Sequence, residues 1–164
     1  MLRSIPLLVT TAIFTLSAGR KLKDLLSANG HFMMGHGKVY PAWLLPVAFV
    51  QEVTMLTLLV IDRPAGVIGC FAFIGGILHA NGCPGGPIDK LGAKGAVPAV
   101  IVMMSTTALA LQGNGHAGPV SRLIGVNKLS AAGLLAAGGA ASICGLMVGV
   151  LLASDVTGSQ AKRT

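Results

Sequence analysis

Charge is the first thing this chain lacks. Twelve Lys/Arg and five Asp/Glu make up only 10% of 164 residues, where an average soluble domain carries about 25%. With 53% hydrophobic residues and a mean hydropathy of +0.78, there is too little polar surface to cover a water-soluble globule. The same scarcity excludes a charged disordered tail. Aromatic residues are rare too, at 4%. Without rings interleaved among the cations, the net charge of +7 is not a nucleic-acid footprint. The three cysteines, Cys70, Cys83 and Cys144, have no CxxC spacing and no paired framework. Ser/His/Asp order, HExxH, paired carboxylates and a GK[ST] phosphate loop are all missing, which argues against a self-contained hydrolase.

What is present is a series of apolar runs. Ser4 to Gly19 ends at Arg20, Lys21 and Lys23. Ala42 to Ile61 contains one acid, Glu52, and ends at Asp62-Arg63. Ala65 to Ala80, Ala96 to Leu111 and Leu129 to Ser154 follow. A spanning helix needs about 20 apolar residues. The second and fifth runs meet that length, and the others reach it with their uncharged flanks. The pattern predicts an all-α integral membrane bundle of five helices, with the lipid bilayer as its solvent. Residues 1–112 form its core, 113–128 a loop, 129–154 an additional Ala/Gly-rich transmembrane helix and 155–164 a basic tail. The first run also reads as a signal peptide, with Ser17-Ala18-Gly19 as its cleavage site. A retained helix is the favoured reading, because Lys21 and Lys23 make a good stop after it.

Cations cluster at the run ends, where they snorkel to headgroups and set orientation. Arg3, Arg63, Arg122 and Lys128 fall on one side of a five-span topology. Arg20, Lys21, Lys23, Lys38, Lys90, Lys94, Lys162 and Arg163 fall on the other. Eight against four puts the C-terminus on the cytoplasmic or equivalent side. In the fifth run, Gly133-x-x-x-Ala137 and Gly145-x-x-x-Gly149 bring small residues onto helical spacing. Such faces let backbones approach closely, against the same chain or another subunit.

Glu52 is the candidate site residue. As the eleventh residue of a twenty-residue run it sits near the bilayer midplane, where ionisable groups face a bundle interior or a wet cavity. Arg20 and Lys21, at a helix end, are expected to lie half a membrane away. Hydroxyls of Thr11, Ser105 or Thr106 are the expected partners, with Glu52 protonated and donating. It is either a buried interhelix contact or a proton-transfer, quinone-contact or ligand-contact site. Gln51 is expected to meet a neighbour. His79 is the second quinone or ligand candidate. His31, His36 and Cys83 share its side, but His31 and His36 are five apart and no acid completes a ligand set, so no metal is assigned. His116 reads as solvated.

Four motifs then occur in order: Phe14-x-x-Ser17-Ala18-Gly19-x-Lys21-Leu22; Tyr40-Pro41-x-x-Leu44-x-Pro46 leading to Glu52; Gly75-Gly76-x-x-His79-Ala80; and Gly92-x-Lys94-x-x-x-Pro98-Ala99. Over residues 5–112 this resembles the DoxX-like family of small four-helix membrane proteins. The resemblance implies a four-helix bundle with Glu52 at the family's acidic position on the second helix, and it favours a retained first helix. Members include subunits linked to thiosulfate:quinone oxidation, parts of membrane oxidoreductase complexes and animal chaperones for receptor assembly, so fold does not fix function. The fifth helix and the long 112–128 segment are departures from the pattern, and they point towards docking onto something larger. The expected function is a non-catalytic accessory subunit or assembly factor with a membrane-protein partner, or a homo-oligomer. The alternatives are a quinone-linked oxidoreductase subunit using Glu52 and His79, and a structural subunit of a respiratory or photosynthetic complex holding a pigment or lipid.

Overall fold

The computed structural model describes residues 4–27, 33–34, 38–39, 41, 43–82, 92–113, 115–152 and 154–155. Among the described residues six helices carry the fold: α1 (Ile5–Leu26), α2 (Leu44–Ile61), α3 (Arg63–Gly82), α4 (Ala93–Leu111), the short α5 (Pro119–Leu123) and α6 (Ala131–Leu152). A 3₁₀ turn, Val126–Lys128, precedes α6. Each start and stop has a local cause. Pro6 lies in the first turn of α1, where its missing N–H costs nothing. Gly113, with φ +81°, follows the end of α4 and turns the chain where a side chain would be strained. Ser130 Oγ accepts the Gly133 N–H at 3.2 Å and caps the start of α6.

Helices α1 to α4 pack as a ring: α1 on α2, α2 on α3, α3 on α4, and α4 back on α1. Helix α6 lies outside that ring against α3 and α4. Phe14, Met55, Leu59, Val67, Cys70, Val102 and Leu109 fill the interior, and Phe71 and Leu134 extend it beneath α6. A single residue, Asp62, joins α2 to α3, so these two helices are antiparallel neighbours. At the opposite end, Lys38–Val39 pairs antiparallel with both Met33–Met34 and Ser154–Asp155, in three two-residue strands. The chain leaving α6 therefore shares an end with the α1–α2 connection.

Three differences from the sequence reading stand out. Helix α1 does not stop at its cations but runs on through Arg20, Lys21 and Lys23 to Leu26. The segment 113–128, expected to be loop, contains α5 and the 3₁₀ turn. Among the described residues two helices, α2 and α6, are long and apolar enough to cross a membrane, with mean hydropathies of 2.0 and 2.1. Helices α3 and α4 hold shorter apolar stretches, Arg63–His79 and Ala96–Leu111.

Candidate functional site: a charged cluster inside the ring

Glu52 is fully buried, and it is not without a cation. Lys21 Nζ donates to Glu52 Oε1 at 2.8 Å, and Ser17 Oγ donates to the same oxygen at 2.7 Å. Lys21 Nζ also donates to Ser17 Oγ at 2.9 Å. This overturns two expectations, that Lys21 lies half a membrane away and that Glu52 is a donor to a hydroxyl. The reason is helical geometry. Glu52 lies eight residues inside α2, about 12 Å at 1.5 Å per residue, and Lys21 lies five residues inside α1, about 8 Å. The four-carbon stem of lysine spans that difference, and it reaches inward because α1 continues past its cations. Ser17 and Lys21, four residues apart, share one helix face.

Aromatic rings line the cation. Lys21 Nζ sits 5.3 Å from the centroid of Phe73, within cation–π range, and Phe73 meets Phe14 edge-to-face at 5.6 Å. Three helices thus build the cluster: α1 supplies Lys21, Ser17 and Phe14, α2 supplies Glu52, and α3 supplies Phe73. The second carboxylate oxygen, Glu52 Oε2, is buried without a hydrogen-bond partner among the described residues. The hydroxyls of Thr10 and Thr106, from α1 and α4, are buried and unpartnered in the same way. Thr10, rather than Thr11, is the inward threonine of α1. Ser105 is only half-buried and Gln51 is exposed on the outer face of α2.

His79 serves another seam. A side-chain carbon added at Gly149 of α6 would come within 3.0 Å of the His79 ring, so His79 packs between α3 and α6, away from the face of α3 that carries Phe73. Gly145 and Gly149 both face α3. A Cβ on Gly145 would collide with the Ala72 carbonyl, and one on Gly75 of α3 would collide with the Ser142 carbonyl. The two backbones are in direct contact here, and Ser142 Oγ donates to the Phe71 carbonyl at 2.7 Å. Gly133 packs beside Leu129 and Ser130 of its own segment, and Ala137 is half-buried on the flank. His31, His36 and Cys83 lie outside the described residues.

A second polar node closes the other end of the bundle. Asp62 is fully buried. Its carboxylate accepts the Ser121 hydroxyl and, at 2.8 Å, the Ser121 N–H. Ser121 Oγ in turn accepts the Ala65 N–H at 3.1 Å. Burial alone would raise the Asp62 pKa, but the donors from Ser121, Gly118 and Val120 outweigh it and hold the carboxyl below its ordinary value. The Arg63 N–H donates to the His116 carbonyl at 2.9 Å, fastening the same connection a second time. Nothing in the sequence marks this latch, because its partners are 59 residues apart. Comparison of the chain with protein-family models, curated proteins and solved structures returns no match.

Proposed function

We propose that this chain is a multi-pass integral membrane protein, its five long helices crossing the bilayer, and that it acts as a non-catalytic component of a larger membrane assembly. One observation carries the reading: the outer face of the bundle is as apolar as its core, and polar side chains lie within. Glu52, Thr10 and Thr106 are fully buried, while Leu8, Leu16, Val50, Val60, Met104 and Leu151 are each more than 60% exposed. Only 28% of the apolar window of α2 and 17% of that of α6 is buried, whereas the core helix of a soluble protein hides most of its apolar surface. Large apolar patches are unstable in water, and lipid is the solvent that suits them. Even the outward hydroxyls fit. Thr54 and Thr57 are exposed but donate to the Val50 and Val53 carbonyls of their own helix at 2.8 and 2.9 Å, which satisfies them where no water is present. The apolar helices α2 and α6, of 18 and 22 residues, measure about 27 and 33 Å, matching a hydrocarbon core of about 30 Å.

The closed α1–α4 ring with an inward acid on α2 supports a DoxX-like core. Lys21 is withdrawn into the interior, which leaves seven cations against four in the loop count and still favours a cytoplasmic C-terminus. The docking role draws support from α6. Its inner glycines are taken up by α3, but Ala132, Ala136, Gly139 and Ala140 form a small-residue face on the outside, and a side chain added at Gly139 would meet nothing within 4 Å. Small outward residues admit a second helix closely. A partner subunit or a second copy of the chain would seat there.

One observation favours a second reading, a quinone-contacting oxidoreductase subunit: Glu52 Oε2 is buried with no hydrogen-bond partner among the described residues. The test covers both. The tagged chain is purified in gentle detergent, co-eluting proteins are identified by mass, and an absorbance spectrum is taken. A stoichiometric partner lost on Gly139→Leu supports the docking role. A bound quinone or pigment lost on Glu52→Gln supports the redox or photosynthetic reading. A colourless monomer contradicts both.

A further inference from the structure

The end of the bundle formed by α5 carries a feature that the membrane reading leaves unused. Beside the Asp62 latch lies a shallow, open cavity of about 650 Å³ lined by Ile61, His116, Ala117, Pro119, Arg122 and Leu123, among others. One wall is apolar and open. Leu123 is 86% and Ile61 51% exposed, and Ile61 continues the outward apolar face of α2 through Val60. The other wall carries one cation, Arg122. Arg122 is exposed and makes no ion pair among the described residues. The Arg63 guanidinium packs against Gly115 just behind His116. Asp62, the acid at this end, is turned inward and occupied by the donors of Ser121.

We infer that this cavity binds the phosphate headgroup of an anionic phospholipid, with one acyl chain descending along Ile61 and Leu123. The inference rests on the membrane reading and deepens it. Charge complementarity selects the headgroup, because guanidinium matches phosphate oxygens in fork geometry. Continuity of the apolar wall with the outward face of α2 selects a lipid over a soluble phosphate, which would leave Ile61 and Leu123 uncovered. The setting is right as well. Val120, Leu123 and Ile124 are exposed next to Arg122 and Lys128, the mix of side chains that places a short segment in the headgroup layer.

The test reconstitutes the full chain in nanodiscs of equal phosphatidylcholine and phosphatidylglycerol and reads retained lipid by native mass spectrometry. Phosphatidylglycerol adducts should exceed phosphatidylcholine adducts about fivefold, because both lipids carry the phosphate but the choline cation offsets its attraction for Arg122. Arg122→Gln should bring the two to parity, while Lys94→Gln, on exposed α4 surface at the other end, should leave the ratio unchanged. Leu123→Ser should lower total retention without unfolding the chain, since that side chain stands in the open. Equal retention in the wild type, or a ratio indifferent to Arg122→Gln, overturns the inference alone. A chain that alkaline carbonate strips from membranes overturns the membrane reading and this site with it.

Discussion

Helix α3 has two working faces, and they are built on opposite principles. Towards the ring it presents Phe73 to Lys21 and Phe14, and the neighbouring helices are aligned by a charged pair and a hydroxyl. Towards α6 it presents what is almost bare backbone, with Gly75 and Gly145 each seated on the other helix's carbonyls. The first face specifies which helices meet by chemistry that is costly to leave incomplete. The second specifies how closely they meet by omitting side chains. In an apolar solvent these are the two available ways to hold helices together, because burial of apolar surface supplies little drive there.

The largest expected effect comes from breaking the charged face. Lys21→Met leaves Glu52 buried without its cation and should cost about 3–5 kcal/mol, read as loss of the folded fraction in detergent denaturation. Adding Glu52→Leu to that variant should recover most of the loss, because removing both charges removes the penalty. Without that recovery, the pair would not be a unit. The glycine face is next. Gly145→Leu should cost about 3 kcal/mol by overpacking against the Ala72 carbonyl and loosen α6 from α3. Gly139→Leu, six residues away on the open side of the same helix, should leave melting unchanged. Equal effects at the two glycines would mean that α6 is not seated as described.

The Asp62 latch should show itself through pH. Its carboxyl titrates below the ordinary value in the folded state, so the unfolded chain binds the proton more readily. The stability it contributes is complete above about pH 4, where the unfolded carboxyl is ionised, and is lost as pH falls through the folded pKa. Asp62→Asn should flatten denaturation midpoints across that acid window, and Ser121→Ala should narrow it. The smallest effect is expected at the α6 cap, where Ser130→Ala should cost about 1 kcal/mol. A thermal scan at neutral pH is enough to read it.

Much of the helical layout is legible in the sequence because apolar runs, Pro and Gly are local signals. The acid of α2 is legible too, since a lone Glu52 in twenty apolar residues has few places to go. Its partner is not legible, because Arg20, Lys21 and Lys23 look like a helix stop, and only the continued helix shows that Lys21 returns to the face of Ser17. Gly145 and Gly149 could be recognised as a packing face, but their counterpart at Gly75 depends on which helix lies opposite, and local spacing does not encode that. The same applies to Asp62 and Ser121. Neither residue carries a signal until the chain folds back and places α5 over the α2–α3 turn.

The central claim, a bundle with the Lys21–Glu52 pair inside and lipid against its apolar outer face, is tested most directly by site-directed spin labelling in bilayers. Single cysteines replace Leu16, Val50, Met104 and Val148, all outward, in a chain whose three native cysteines are substituted. The account predicts that all four labels are relaxed by oxygen, which dissolves in lipid, and are shielded from a water-soluble nickel chelate. Relaxation by the chelate at these positions would place them in water and contradict it.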